Sequence, residues 1–309
     1  SAFIWAVCVA ITLAAGFALA SRGRHLPLEA ALVIAVAFSA STVAVSLAVW
    51  DELGLLMSDS GILLIDVAEM DDLSAVVMLA MLLSLIPLLQ AGNGVPLGAM
   101  LQTGLWTLCK LLGFVLVCYL FSHFLERRFL RLHRAVGETD AGLVITIIGM
   151  GLLVSAVAGQ LGFSLAIGAL FAGLAFSGDP DVVRNEGGFS YFYEFFAPFF
   201  FIGIGLHVAP QAFFSGFEWG LMLFAVAALS KVIGVALPAL PITGRRDAIV
   251  LGLSMVPRAE IALLVVYQCS QLGAGIISDE VFAACVVATT LTALTAPPLV
   301  RWYLRARPE

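Results

Sequence analysis

Apolar runs long enough to cross a membrane recur along the whole chain and are separated by short polar segments. About 20 apolar residues span a bilayer core of roughly 30 Å as a helix. The predicted spans are residues 2–20, 29–49, 61–90, 98–124, 141–160, 163–177, 192–209, 217–240, 247–270 and 281–304. The sixth and seventh of these are short or interrupted. The pattern predicts an all-α polytopic membrane protein of about ten transmembrane helices.

Composition supports a membrane protein and argues against several other classes. The 309 residues are 61% hydrophobic and 12% charged, whereas soluble proteins are about half apolar and about one quarter charged. A net charge of −6 does not favour a nucleic-acid partner. The five cysteines form no Cys-x-x-Cys pair, so neither a metal site nor a disulfide framework is indicated. We expect a lipid-embedded protein without a cofactor, and not an enzyme.

Arginines in the loops are divided very unevenly between the two sides that ten spans define. One side carries only Arg22 and Arg24. The other side carries Arg127, Arg128, Arg131, Arg134, Arg184, Arg245, Arg246, Arg301, Arg305 and Arg307. The positive-inside rule therefore predicts a cytoplasmic C-terminus in a bacterial-type inner membrane. The chain starts at Ser1 without a charged leader, which we interpret as a truncated N-terminus without a signal peptide.

Charged side chains inside membrane spans are costly, so each one is a functional hypothesis. The spans contain Asp66, Glu69, Asp71, Asp72, Lys110, Glu194, Lys231, Arg258 and Glu260. A helical rise of about 1.5 Å per residue puts Asp72, Lys231 and Arg258 near the membrane midplane. Three spans that are far apart in sequence thus bring charges to one depth.

Two spans are predicted to be interrupted at that same depth. The second contains the polar patch Ser39-Ala40-Ser41-Thr42, and the ninth contains Pro257, which removes a helical hydrogen bond. Broken helices mark the substrate sites of many transporters, because their open ends bind ions. Spans one to three and eight to ten are therefore a candidate inverted repeat, with two broken helices that cross.

The four carboxylates of span three are predicted to lie on different faces of their helix. Asp71 and Asp72 are adjacent and point about 100° apart, so they can perform different tasks. Asp66, Glu69 and Asp72 lie three residues apart and share roughly one side, which predicts a cation-attracting path to Asp72. A cluster of this kind titrates as a coupled unit. A carboxylate that holds either a proton or a cation, but not both, provides the chemistry of exchange.

Structural interpretations compete with these assignments. Asp66 is also compatible with a hydrogen bond between helices, and Lys110 is better explained by packing or structural pairing. For Arg258 and Glu260, we favour an ion pair that stabilises the broken helix over a direct role in transport.

Seven stretches, in this order along the chain, carry a family resemblance. They are Ser39-Ala40-Ser41-Thr42-Val43, Glu69-Met70-Asp71-Asp72-Leu73, residues 168–173, residues 198–205, Lys231, Met255-Val256-Pro257-Arg258-Ala259-Glu260, and residues 289–298. Together they resemble the monovalent cation:proton antiporter-2 family, which includes bacterial Na⁺/H⁺ antiporters and K⁺-efflux proteins. The resemblance covers the whole chain.

The resemblance implies a role for each matching residue. Asp72 would carry the cation and the proton, and Ser41 and Thr42 would help to line the site. Asp71 would make and break an ion pair with Lys231 during the cycle, and a lysine there is associated with electrogenic exchange. The residue pattern itself, apart from the resemblance, predicts a supporting role at the site for Asp66, Glu69, Arg258 and Glu260.

The resemblance also implies a division into domains and a homodimer. Residues 1–90 and 217–309 would form the ion-transporting core, 98–134 a linker helix, and 141–210 part of a dimerisation domain. The family usually has about three more helices before the first span. In addition, Ala259 replaces the usual glycine, and Asp66 and Glu69 replace residues that are commonly small and apolar.

Other functions were weighed against Na⁺ or K⁺ exchange for protons. A K⁺-efflux protein with channel-like gating is the nearest alternative. An intramembrane aspartyl protease would need a Gly-x-Gly-Asp helix, whereas the chain has only Ser177-Gly178-Asp179, in a loop. A purely structural or sensory membrane module does not explain the buried charges.

Overall fold

The computed structural model describes residues 1–90, 97–126, 128, 140–176, 186–273 and 275–305. Within these ranges all regular structure is helical. The helices are α1 (Ala2–Ala18, continued by a π-turn at Leu19–Gly23), α2 (Leu28–Ser39), α3 (Ala44–Glu52), α4 (Asp59–Gln90), α5 (Leu97–Leu120), α6 (Asp140–Gln160), α7 (Leu165–Ala175), α8 (Glu186–Leu206), α9 (Pro210–Ser254), α10 (Glu260–Ser270) and α11 (Asp279–Arg305). Five arginines of the orientation prediction (Arg127, Arg131, Arg134, Arg184 and Arg307) lie outside the described residues.

Eight helical stretches in the described ranges are long and apolar enough to cross a membrane, so the protein is an all-helical polytopic membrane protein. The other two of the ten expected spans contain shorter apolar helices. The run at 163–177 forms only the 11-residue helix α7. The run at 247–270 is divided between the end of α9 and the 11-residue helix α10, because Pro257 lies between them.

The chain divides into two compact units. The first unit combines both ends of the chain, residues 1–82 and 204–309, and the second unit comprises residues 83–203. The boundaries fall inside α4 and inside α8. The breaks predicted in the second and ninth spans both belong to the first unit.

Small residues allow the helices of the first unit to pack closely. Helix α11 lies along α9, and α1 packs against both α9 and α2. A Cβ atom added to Gly220 would lie 2.7 Å from Cβ of Val287, and one added to Gly216 would lie 2.6 Å from the carbonyl oxygen of Glu280. Glycines four residues apart are the usual means by which membrane helices approach at backbone distance.

Helix α9 reverses direction at Gly244. This residue has φ +81°, a left-handed conformation that glycine adopts without steric penalty. The segment after the turn lies against the segment before it, since a Cβ on Gly252 would lie 2.9 Å from the carbonyl oxygen of Val232. The turn separates the predicted spans 217–240 and 247–270. It also returns the chain to the level of Lys231.

Replacing Gly252 with alanine is expected to destabilise the protein by about 1–3 kcal/mol, as other overpacked cores are. The added methyl group would meet backbone atoms of Val232, which cannot rotate away. Thermal unfolding in detergent measures the effect. Gly149→Ala is the matched control, because its Cβ would meet no atom within 4 Å and alanine is the better helix former by about 1 kcal/mol. Equal stability of the two variants would contradict the packing.

In the second unit, α7 packs against α6 and α5. A Cβ on Gly168 would lie 2.4 Å from Cα of Ser155, so α6 and α7 touch through their backbones. The ring of Phe114 on α5 packs against Phe163 and Phe171, with ring centroids 6.2 and 6.0 Å away. These contacts make α5, α6 and α7 the walls of one small helical cluster.

Candidate functional site

The second predicted span is broken at its polar patch. Helix α2 ends at Ser39, Ala40 is extended (ψ 142°), and α3 begins at Ala44. Serine and threonine side chains compete with the backbone for hydrogen bonds, so they weaken a helix locally. Ser39, Ser41 and Thr42 are all buried. The hydroxyls and the unwound backbone therefore belong to the interior of the first unit.

The ninth predicted span is broken around Pro257. Helix α9 ends at Ser254 and α10 begins at Glu260. Pro257 has no backbone N–H to donate, and Ala259 has φ −148° and ψ −102°, which is not helical. The carbonyl groups released by this break must find donors elsewhere, because an unpaired backbone group inside a membrane protein is costly.

The two breaks hydrogen-bond to each other. The backbone N–H of Thr42 donates to the carbonyl of Pro257 (2.8 Å). Ser41 Oγ donates to the carbonyl of Met255 (2.8 Å), and the N–H of Ala259 donates to Thr42 Oγ1 (3.1 Å). Each unwound segment thus satisfies groups that the other one exposes, so the breaks stabilise each other as a pair.

Arg258 crosslinks the surroundings of both breaks. Its side chain is fully buried, and its guanidinium donates to the carbonyls of Phe38 (2.6 and 2.9 Å), Val256 (3.0 Å) and Ala227 (3.2 Å). The predicted ion pair between Arg258 and Glu260 is wrong, because the guanidinium is turned towards these carbonyls. The reason is that the carbonyls of Phe38 at the open end of α2, of Val256 in the break and of Ala227 on α9 together suit a planar five-donor group.

Thr292 is a site residue that sequence reasoning missed. Its Oγ1 accepts from the backbone N–H of Arg258 (3.1 Å) and donates to the carbonyl of Thr289 (2.7 Å), and its side chain is buried. Helix α11 therefore contributes a hydroxyl to the break in the ninth span. Threonines are common in apolar helices, so the sequence alone does not identify Thr292 as a site residue. Its contact with the backbone of Arg258 does.

Substituting Arg258 by lysine should destabilise the protein by about 2–3 kcal/mol. Lysine keeps the charge but lacks the planar fork that reaches three carbonyls, and a lost hydrogen bond to a charged group is worth about 1.5–3 kcal/mol. Thermal unfolding of the purified protein gives the measurement. Arg245→Lys, at an exposed position, is the control and should change stability by less than about 0.5 kcal/mol. A stable Arg258→Lys variant would show that the fork is dispensable.

Asp71 and Lys231 form a buried ion pair at the end of α2. Lys231 Nζ lies 3.0 Å from both carboxylate oxygens of Asp71 and donates to the carbonyl of Ser39 (2.6 Å). The side chains are 2% and 0% exposed. Asp71 and Lys231 are thus brought together from helices that are 160 residues apart in sequence. The two buried charges balance each other. If one of them were removed, the other would remain buried without a counter-charge.

Asp72 occupies a different environment from its neighbour. It is half-buried and interacts electrostatically with Lys231 and with the negative charges of Asp71, Glu260 and Glu69. Helix α4 points Asp71 into the first unit and leaves Asp72 at its edge. Asp66 and Glu69 are exposed on the same helix. Of the two adjacent aspartates, Asp72 is therefore the one whose carboxylate an ion can reach.

Cys8 is another residue near the site that the sequence analysis did not single out. Its side chain is buried, and its thiol interacts electrostatically with Lys231. Helix α1 approaches α9 closely here, since a Cβ on Gly234 would lie 3.0 Å from Cα of Cys8. The ammonium group of Lys231 is thereby enclosed by α1, α2 and α4.

The arrangement combines a reachable carboxylate with a neutralised buried one. The described residues contain no group of three or more His, Cys, Asp or Glu side chains suited to a resident metal ion. The polar atoms at the paired breaks are hydroxyl and carbonyl oxygens, which are hard ligands of the kind that alkali cations prefer. The site can hold a small cation or a proton at Asp72.

Comparison with known proteins gives relatives of one kind. The chain is 25% identical to a Na⁺/H⁺ antiporter of Enterococcus hirae over 89% of its own length and 70% of that protein. It is 29% identical to the Na⁺/H⁺-K⁺ antiporter GerN of Bacillus cereus over 48% of its length and 38% of GerN. It is 23% identical to a high-affinity Na⁺/H⁺ antiporter of Synechocystis over 88% of its length and 58% of that protein.

The match to a family is more extensive than the match to any one of these relatives. The family described as sodium/hydrogen exchanger, transmembrane, covers residues 1–306. Its members are membrane transporters rather than enzymes, as the sequence predicts. The order of motifs also agrees with the monovalent cation:proton antiporter-2 type. The chain therefore belongs to the sodium/hydrogen exchanger transmembrane family.

Proposed function

We propose that the protein exchanges a monovalent cation, Na⁺ or K⁺, for protons across the membrane. The observation that carries this proposal is the half-buried Asp72 beside the buried Asp71–Lys231 pair. These residues lie in the same unit as two helix breaks that are hydrogen-bonded to each other. The printed names of the relatives, which include Na⁺/H⁺ and Na⁺/H⁺-K⁺ antiporters, support the same proposal.

In the proposed cycle, a proton and a cation compete for Asp72. When Asp72 is ionised it binds the cation, with Ser41 and Thr42 lining the site. When it is protonated the cation leaves. Only the cation-bound form and the protonated form switch the site from one side of the membrane to the other. Because the empty, ionised form does not switch, cation transport is coupled to proton transport. Asp66 and Glu69, exposed on α4, raise the local cation concentration by their negative charge.

The Asp71–Lys231 pair has a separate task in this proposal. While Asp71 accepts two hydrogen bonds from Lys231, its charge is neutralised and it does not compete for the cation. Cation binding at Asp72 weakens the electrostatic attraction between Lys231 and Asp72. The contact between Lys231 and Asp71 then changes at that step of the cycle. Arg258 keeps the two breaks in place, and Glu260 adds negative charge near Asp72.

We further propose an organisation for the whole protein. Residues 1–90 and 217–309 form the core that carries the ion, residues 98–134 a linker, and residues 141–210 part of a dimerisation domain of a homodimer. The core is an inverted repeat in which α2–α3 corresponds to the end of α9 with α10. The C-terminus faces the cytoplasm of a bacterial-type cell membrane.

Ion-coupled dye quenching tests the proposed exchange. The full-length protein is reconstituted in liposomes that contain a pH-sensitive dye, and a proton gradient is imposed. Addition of Na⁺, K⁺ or Li⁺ should collapse the gradient, whereas choline should not. The ion that acts at the lowest concentration is the preferred substrate.

Two results would contradict this function. Cation flux that continues without any proton movement would favour the channel-like K⁺-efflux alternative. If no alkali cation affects the proton gradient, in liposomes where the protein is shown to be folded, both antiport and channel-like K⁺ efflux would be contradicted.

A further inference from the structure

The second unit contains an apolar cleft that has no part in the exchange site. It has a volume of about 550 Å³, within the range of roughly 300–1,000 Å³ that small-ligand sites occupy. Its walls are α5, α6 and α7. The residues that line it include Lys110, Gly113, Val117, Phe121, Met150 and Phe176.

The cleft is a slot with two different ends. Lys110 and Leu161 line one end, where Lys110 Nζ donates to the carbonyl of Leu161 (2.9 Å). Phe121, Met150 and Phe176 line the other end, where Phe121 and Phe176 stack edge to face. Phe121 follows Lys110 by eleven positions, which correspond to about 16 Å along a helix. A linear apolar molecule fits this shape better than a compact one.

Among the described residues, Lys110 is the single charged side chain that lines the cleft, and none of them balances its charge. Of its three donor hydrogens, one is used by the Leu161 carbonyl, and the ring of Phe163 lies 5.7 Å away. Across the described ranges, no carboxylate lies within ion-pair distance of it. A lysine at this depth in a membrane helix normally has an anionic partner. Here the position for one is open towards the cleft.

We propose that this cleft binds a free long-chain fatty acid. The alkyl chain would lie along α5 between the walls of α6 and α7, and its carboxylate would accept hydrogen bonds from Lys110. The apolar walls of the cleft match an alkyl chain, and the lysine supplies the charge that fixes the direction of the chain. The site goes beyond ion exchange, and its test does not depend on transport.

Photoaffinity labelling tests the proposed occupant. The full-length protein in detergent is incubated with palmitate that carries a diazirine on its chain, irradiated and digested for mass spectrometry. Labels are expected on residues that line the cleft, such as Val117 and Met150. Unlabelled palmitate should compete, and palmityl alcohol should compete at least about tenfold more weakly, the factor that corresponds to 1.4 kcal/mol.

Matched variants distinguish recognition of the fatty acid's carboxylate from binding of its alkyl chain. Lys110→Met should lower labelling about tenfold, and Lys110→Arg should largely retain it. Gly113→Leu should block the slot, because a Cβ there meets no atom within 4 Å and the longer side chain enters the open space. Gly149→Leu has equal room at its Cβ but does not line the cleft, so its labelling should match that of the wild type.

Several outcomes would overturn the assignment. Equal competition by palmityl alcohol together with full labelling of Lys110→Met would show that the lysine does not recognise a carboxylate. Displacement by phosphatidylglycerol at concentrations below those of palmitate would make a phospholipid the occupant. Absence of label from the lining residues of the wild type, with ion exchange intact, would show that the cleft is filled by other protein or is closed.

Discussion

Cation-driven collapse of the proton gradient is expected to fall at least about 100-fold when Asp72 is replaced by asparagine. Such a loss corresponds to about 2.7 kcal/mol in a rate-limiting barrier. Asparagine has nearly the same shape, but it can neither release a proton nor neutralise a bound cation. Asp72 is half-buried and has no hydrogen bond to the residues that the structure describes, so the fold should persist. The dye assay in liposomes measures the rate.

The control for Asp72→Asn is Asp59→Asn, in the exposed first turn of the same helix. It removes the same charge about 20 Å away along α4 and should leave exchange unchanged. Both variants should unfold within about 0.5 kcal/mol of the wild type. If Asp72→Asn exchanges as fast as the wild type, another group carries the ion and the site assignment is wrong.

The second large effect concerns the buried ion pair. Lys231→Met should destabilise the protein by about 3–5 kcal/mol, because Asp71 would keep a charge that is 2% exposed and has lost its partner. Asp71→Asn alone should also destabilise, since Lys231 then lacks an anion. The double variant should recover most of the loss, because neutral residues of similar size replace a buried pair at little cost. Unfolding of all four proteins gives the coupling energy.

An exposed ion pair provides the comparison for this cycle. Arg301 pairs with Glu52, and their side chains are 43% and 51% exposed. Arg301→Met should therefore change stability by less than about 1 kcal/mol. Additive effects of Lys231→Met and Asp71→Asn, with no recovery in the double variant, would contradict an energetic link between Asp71 and Lys231.

Much of the fold could be predicted because membrane helices have a simple requirement. Every backbone group must be satisfied within its own segment, so long apolar runs such as 61–90 and 98–124 become helices without reference to the rest of the protein. The breaks were also visible, because Pro257 and the Ser39–Thr42 patch act on local backbone bonding. Those features depend on residues close in sequence.

The partners of buried charges were less predictable. Depth along a helix indicated that Lys231 and the paired aspartates share a level, but it did not show which aspartate points inward. The same limitation produced the error at Arg258, which was expected to pair with Glu260, two residues along the chain. Its guanidinium instead donates to Phe38, 220 residues away, because the open end of α2 lies beside it.

The sequence by itself determined that this is a helical membrane protein, where its helices are interrupted, and which ionisable residues lie within its apolar segments. These properties follow from local hydrophobicity and from the backbone chemistry of proline and hydroxyl residues. The family resemblance implied the pairing of Asp71 with Lys231, but only the tertiary structure decided that this pair is fully buried while Asp72 is half-buried. Only the tertiary structure, too, decided that Thr292 and Cys8 belong to the surroundings of the site and that Lys110 closes one end of an apolar cleft. Those outcomes depend on which helix faces are packed together, and packing joins residues that no periodicity in the sequence relates.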